Sequence, residues 1–217
     1  MKKKCVFIFT ALLLMNPATH LAGPLVSNNM LNHLKTAYSD QAYRRGLAIN
    51  KLLVELQGQS IQRQLAEVNR FFNQFEYAED RDHWGEQDYW ATPGEFLGTQ
   101  KGDCEDFVIA KYFALRKLGV PDERLYLTYV KALKQNVAHM VLSYFPTPNS
   151  IPQVLDNYDP RIVSADKRTD LLPVYSFNAK SLFLSNASAG LGKSLPTDKI
   201  KNSKWTKLLA DIQKETP

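Results

Sequence analysis

Cysteine is almost missing from this chain: 217 residues hold two, Cys5 and Cys104. Cys5 lies in an N-terminal stretch with the character of an export signal, so the exported chain is expected to carry Cys104 alone, and an intramolecular disulfide is excluded. Histidine is scarce too, at four residues, which leaves an acid–base mechanism few candidates. No apolar run after Met15 is long enough to suggest a membrane span, and the run from Cys5 to Met15 is itself too short for one. Internal repeats, low-complexity segments and a long basic stripe are all lacking, which removes the case for nucleic acid as a partner.

The opening MKKKCVFIFTALLLMNPATHLAG places three lysines before an apolar core and small, polar residues after it, the anatomy of a secretory signal. Residues 1–22 are read as that signal, cleaved near Ala18 or Ala22 or retained as an anchor, and residues 23–217 as one domain of ordinary size. The formal charge of +5 includes Lys2, Lys3 and Lys4, and no acid lies in that stretch. The Lys-rich tail DKIKNSKWTKLLADIQK reads as the solvated face of a terminal helix.

From Ser27 to Tyr77 the pattern is helical. Leu47, Leu52, Leu53 and Leu56 form one apolar stripe, and Ile61, Leu65, Val68, Phe72 and Phe75 another behind an N-cap at Ser60. Residues 78–103 keep neither helical nor strand period and read as a long ordered loop rich in acids and aromatics. A helix then runs from Cys104 to Gly119, with Asp103 as its N-cap. The segments RLYLTYVKAL and VAHMVLSYF are strands joined by KQN as a hairpin, and IPQVLDN and LLPVYSF add two more. Helices followed by an antiparallel sheet make an α+β fold.

A lone thiol in an exported protein bridges to another chain, lies inert in a core, or reacts. Cys104 stands at a helix start, where unpaired amides and the macrodipole favour thiolate and where its own N–H can meet an oxyanion. Its neighbours Asp103 and Glu105 oppose that, since adjacent carboxylates raise a thiol's pKa unless something holds them. A base must be His20, His33, His83 or His139. Of these, His139 lies on one face of a strand, and Asp156 ends the next strand, where it can take the second imidazole nitrogen.

The strings GDCEDFVIAKYFALRKLG, HMVLSYFPTP, VLDN and RTDLLPVYSFN resemble the bacterial transglutaminase-like cysteine proteinases, over roughly Trp84 to Phe183. The resemblance implies a papain-like core, with Cys104 as nucleophile, His139 as general base and Asp156 as the carboxylate that orients it. It also implies calcium beside the active site, with Asp103 and Glu105 as ligands and Asp88 and Asp106 as further candidates. Without a metal, Asp103 is an N-cap and Glu105 a first-turn acid.

By the same resemblance the protein is a periplasmic endopeptidase that cuts a large exported adhesin near its membrane-retained end and releases cells from a biofilm. The periplasmic domain of an inner-membrane cyclic di-GMP receptor would sequester it. Trp84, Tyr89 and Trp90 are candidate walls for a narrow cleft. Two other outcomes fit the same residues: an amide transferase of the transglutaminase kind, or a binding module of this fold without turnover.

Overall fold

The computed structural model describes residues 24–179, 182–186, 190–194 and 203–215. The signal read at residues 1–22, with His20, lies outside them. Among the described residues no helix is long and apolar enough to cross a membrane.

Helix α1 (Asn28–His33), capped by the Ser27 hydroxyl on the Met30 amide, leads through a π-helical turn into α2 (Asp40–Leu56), capped by Ser39. The stripe expected on α2 is rotated. Its buried face is Ala42, Gly46, Ile49, Leu53 and Leu56, whereas Leu47 is 42% exposed. The reason is Gly46: a Cβ there would stand 2.7 Å from Leu31 and 2.9 Å from Leu34, so the missing side chain lets α1 and its following turn lie directly on α2. Helix α3 (Ile61–Phe72) is capped by Ser60 as expected and buries Leu65, Val68 and Phe72. Phe72 and Phe75 join Phe96 and Phe107 in one aromatic cluster.

The segment read as a loop, 78–103, contains two helices and one short strand, which pairs with another just ahead of it. Strand β1 (Glu76–Tyr77) pairs in parallel with β2 (Lys101–Gly102), and between them lie α4 (Asp80–His83) and α5 (Pro93–Thr99). Helix α5 owes its existence to its ends rather than to period. Thr92 and Glu95 form a reciprocal capping box, Pro93 opens the first turn, and Gln100 closes the helix in the left-handed region at φ 60°.

Helix α6 (Cys104–Lys117) is buried on nearly every side, so no single face carries its packing. It lies against α3, α5 and a seven-stranded antiparallel sheet made of β3 (Leu125–Ala132), β4 (Val137–Tyr144), β5 (Gln153–Leu155), β6 (Val163–Ser164), β7 (Leu171–Phe177), β8 (Leu182–Asn186) and β9 (Gly190–Ser194), in the order β6-β5-β4-β3-β7-β8-β9. The four strands expected are β3, β4, β5 and β7. The β3–β4 hairpin pairs Ala132 with Val137. Its turn is closed by Asn136 at φ 58°, a position asparagine tolerates better than most residues. Met140 and Leu142 of β4 enter the core under α6, while Val141 packs with Val130 and Val154 on the opposite face. Helix α7 (Ser203–Glu215) is solvated along its lysines but docks through Trp205 and Leu208.

Candidate active site

Local chemistry around Cys104 begins with Asp106. Its carboxylate accepts the Ala91 amide at 2.8 Å through one oxygen and the Asp103 amide at 3.3 Å through the other, while Asp103 accepts the Glu105 amide at 3.2 Å. The two acids close a capping box around the first turn, with Cys104 as its first residue. Gly102 completes the arrangement, because a Cβ there would sit 2.2 Å from an Asp106 oxygen. The thiol therefore starts a helix whose N-terminus is tied from both sides, and its amide has no intrahelical carbonyl to bond.

Helix α6 packs on β4, and the Met140 amide, one residue from His139, is near enough to the Cys104 sulfur to favour its charged form. His139 is buried, with Nε2 2.8 Å from Asp156 Oδ1 and its ring stacked on Tyr158 at 4.1 Å and 5°. Tyr158 and Tyr77 both lie near enough to Cys104 for a thiolate there to raise their hydroxyls. His139 and Asp156 thus meet where β4 and the end of β5 lie together, and α6, which starts at Cys104, packs on β4. The other described histidines do not join them: His33 is exposed and packs edge-on against Tyr38, and His83 meets Trp84 edge-on.

Asp156 is wholly buried. Burial alone would lift its carboxyl, but His139, the Tyr158 amide at 3.0 Å and Arg168 at 2.7 Å together hold it below the usual range. A carboxylate on Nε2 fixes the imidazole as the Nε2–H tautomer. Nδ1, which has no hydrogen-bond partner among the described residues, is then the unprotonated nitrogen. Arg168 also grips Asp170 through two bonds, at 2.9 and 2.8 Å, and stays charged despite burial. Sequence reasoning missed this arginine: a cation twelve residues from its carboxylate has no local signature.

The thiol itself is not activated by its helix start alone. Burial, then the charges of Glu105 and Asp103, push it well above its ordinary value, and the sulfur lies 2.7 Å from Glu105 Oε2. The expected macrodipole benefit is overridden because desolvation and two adjacent anions outweigh half a positive charge.

Those anions belong to a larger group. Asp80, Asp103 and Asp106 bring carboxylate oxygens within 4.8 Å of one another, and Asp103, Cys104 and Glu105 do the same with their ligand atoms. Burial first, and the neighbouring acids after it, lift Asp80 to about 6 and raise Asp103 and Asp106 as well. Asp80 Oδ1 is buried with no hydrogen-bond partner among the described residues. An all-oxygen, multiply anionic set with an unused buried oxygen fits a hard divalent cation. Asp80, at the start of α4, was missed by sequence reasoning, whereas Asp106 joins as expected. Asp88 does not: it pairs with Lys204 and accepts the Trp90 indole N–H at 3.1 Å. Trp90 is core, stacked on Phe177, and so is no cleft wall. Trp84 and Tyr89 lie together, partly buried.

With this geometry in view, the comparisons are specific. Residues 41–172 match the family model described as bacterial transglutaminase-like cysteine proteinase, so the similarity begins well before Trp84. Among solved structures, Legionella pneumophila LapG treated with EGTA is 40% identical, with a TM-score of 0.74 over 88% of this chain and all of that one. Calcium-bound Legionella pneumophila LapG is also 40% identical, with a TM-score of 0.73 over 86% of this chain and 99% of that one. Among curated protein sequences none matches the chain significantly.

Proposed function

Because the chain belongs to the bacterial transglutaminase-like cysteine proteinases, we propose that it is a calcium-dependent periplasmic endopeptidase with Cys104, His139 and Asp156 as its catalytic triad. The observation that carries this reading is the buried His139–Asp156 pair, with His139 on the strand against which the thiol-bearing helix packs, and a carboxylate cluster pressed against that thiol.

The chemistry follows from the atoms. His139 Nδ1 takes the thiol proton as Cys104 sulfur adds to the scissile carbonyl, and the oxyanion forms where the Cys104 amide can donate. The imidazolium returns its proton to the departing amine, leaving a thioester. Water, deprotonated by the same nitrogen, then splits the thioester and regenerates the thiol. Asp156 keeps the ring aligned and offsets the imidazolium charge, and Arg168 keeps Asp156 aimed.

Asp80, Asp103, Glu105 and Asp106 are the residues that would hold calcium. The cation would supply charge neutralisation beside the thiol, which is what makes dependence on it intelligible: with Glu105 and Asp103 screened, burial alone still opposes the thiolate. The substrate in this reading is a large exported adhesin cut near its membrane-retained end, with release of cells from a biofilm. Control falls to the periplasmic domain of a cyclic di-GMP receptor.

The test is incubation of the purified protein with the exported adhesins of its own cell, with calcium or with chelator. Two fragments from one substrate, absent with chelator or with Cys104→Ala, are expected. A product heavier than its substrate would instead indicate amide transfer, and no change in any candidate would leave a binding module.

A further inference from the structure

Behind Asp156 lies a second set of polar groups that the proposed chemistry does not use. Lys111 stands two turns after Cys104 on α6 and is completely buried, with Nζ 5.7 Å from the Phe107 ring centre. The ammonium has no hydrogen-bond partner among the described residues, and neither have the side-chain carbonyl oxygens of Asn69, Asn73 and Asn157. The three asparagines belong to one contact, between α3 and the segment after Asp156, and Lys111 lies within reach of the Asp156 charge. Asn73 Nδ2 donates to the Asp156 carbonyl at 2.8 Å and Asn69 Nδ2 to the Pro160 carbonyl at 3.0 Å, so α3 is fastened to the segment that follows the catalytic carboxylate. Asn157 is in that segment, and α3 packs on α6. Burial pulls Lys111 down to about 7, and the Asp156 charge pulls it back up.

Buried polar groups left unmatched in number are the ordinary signature of internal water, which needs two to four polar partners and a roomy polar site. Here one ammonium offers three donors, and three amide oxygens need them. We propose that Lys111 is a positioning residue: one or more buried waters link its ammonium to Asn69, Asn73 and Asn157 and so hold the Asp156–Pro160 segment at the distance that keeps Asp156 on His139. Arg168 aims the carboxylate from the sheet side, and Lys111 steadies its backbone from the helix side.

The inference rests on the protease reading only for its kinetic arm. A high-resolution crystal structure of the unaltered protein is expected to show ordered water within hydrogen-bond distance of Lys111 Nζ and of at least two of the three asparagine oxygens. A dry site, or Nζ bonded straight to all three, would overturn the water link. Proton NMR of the same protein should show a far-downfield imidazole N–H from His139 bonded to Asp156. Lys111→Met, nearly equal in length, should broaden or remove that signal and lower kcat about tenfold with KM unchanged. A folded Lys111→Met protein with the signal and kcat intact would refute the positioning role. Should Lys111→Met not fold, Asn157→Ala carries the same expectation, with the same refuting result. Absence of proteolysis in every variant and in the parent would strike the protease reading and leave the water and imidazole observations to decide this one.

Discussion

The Cys104 thiol lies 2.7 Å from the Glu105 carboxylate, so the candidate nucleophile rests against the group that most opposes its ionisation after burial itself. Whatever screens Glu105 switches the thiol. Alkylation of Cys104 by iodoacetamide should therefore be slow in chelator and faster in calcium, with its pH midpoint shifted downward by the cation. Glu105→Gln should raise the rate in chelator and abolish most of the calcium response. Equal alkylation profiles with and without calcium would separate the carboxylate cluster from the chemistry.

Asp156 should be needed for turnover more than for folding. Asp156→Asn keeps the shape but removes the acceptor that sets the imidazole tautomer, and a loss of roughly 10²–10⁴-fold in kcat is expected. Arg168→Met, by contrast, strands a buried carboxylate and should cost about 3–5 kcal/mol of stability as well as activity. Urea unfolding measured alongside cleavage distinguishes the two. Were His83 or His33 essential and His139 dispensable, the triad would be misassigned.

Without a cation, stability should fall as pH rises. Asp80 is lifted from 3.8 to about 6, and Asp103 and Asp106 are also raised. A carboxyl raised on folding favours the folded state while protonated. That advantage is full below the unfolded value near 4, and for Asp80 it drains away as pH climbs through about 6, with Asp103 and Asp106 continuing the loss above it. In EGTA, Tm should drop by about 5–10 °C between pH 5 and pH 8, and calcium should remove most of that slope. A chelated protein no more sensitive to pH in this range than the calcium-loaded one would contradict the account.

Gly102 is required for space, not for backbone freedom. Gly102→Ala drives a Cβ to 2.2 Å from an Asp106 oxygen, so Asp106 must leave the capping box or the β2 strand must shift. A loss of about 1–3 kcal/mol is expected, together with weaker calcium binding by calorimetry. Unchanged stability and affinity would mean that Asp106 relocates freely.

If a receptor domain restrains the protease, it should capture the catalytically silent Cys104→Ala protein and inhibit the active one. The partly buried Trp84, in tilted contact with Tyr89, is the residue to probe. Trp84→Glu should weaken capture more than catalysis if that loop is a contact. Binding without inhibition would remove sequestration from the proposal while leaving the enzyme in place.

Much of the scaffold was legible from local chemistry. The helix that opens at Cys104, its Asp103 cap, the Ser60 cap and the β3–β4 hairpin each depend on neighbours in the chain, and each stands where period and capping put it. Helix α5 was also written locally, in Thr92, Pro93 and Glu95, but as end signals on a helix too short to show a period. Leu47 misled because leucine at the right spacing looks like core, while the real contact was made by the residue with no side chain, Gly46.

By itself, then, the sequence determined which residue types could do chemistry: a thiol at a helix start, few imidazoles, and carboxylates flanking that thiol. Helix starts, hairpins and caps involve atoms a few residues apart, so the order of residues suffices to specify them. Only the tertiary structure decided that Arg168 grips Asp156, that Asp80 and not Asp88 joins Asp103 and Asp106, and that burial lifts the Cys104 thiol instead of letting the helix dipole lower it. Those outcomes depend on distance and on exclusion of water between groups far apart in the chain, quantities that do not exist until α4, α6 and the sheet have packed.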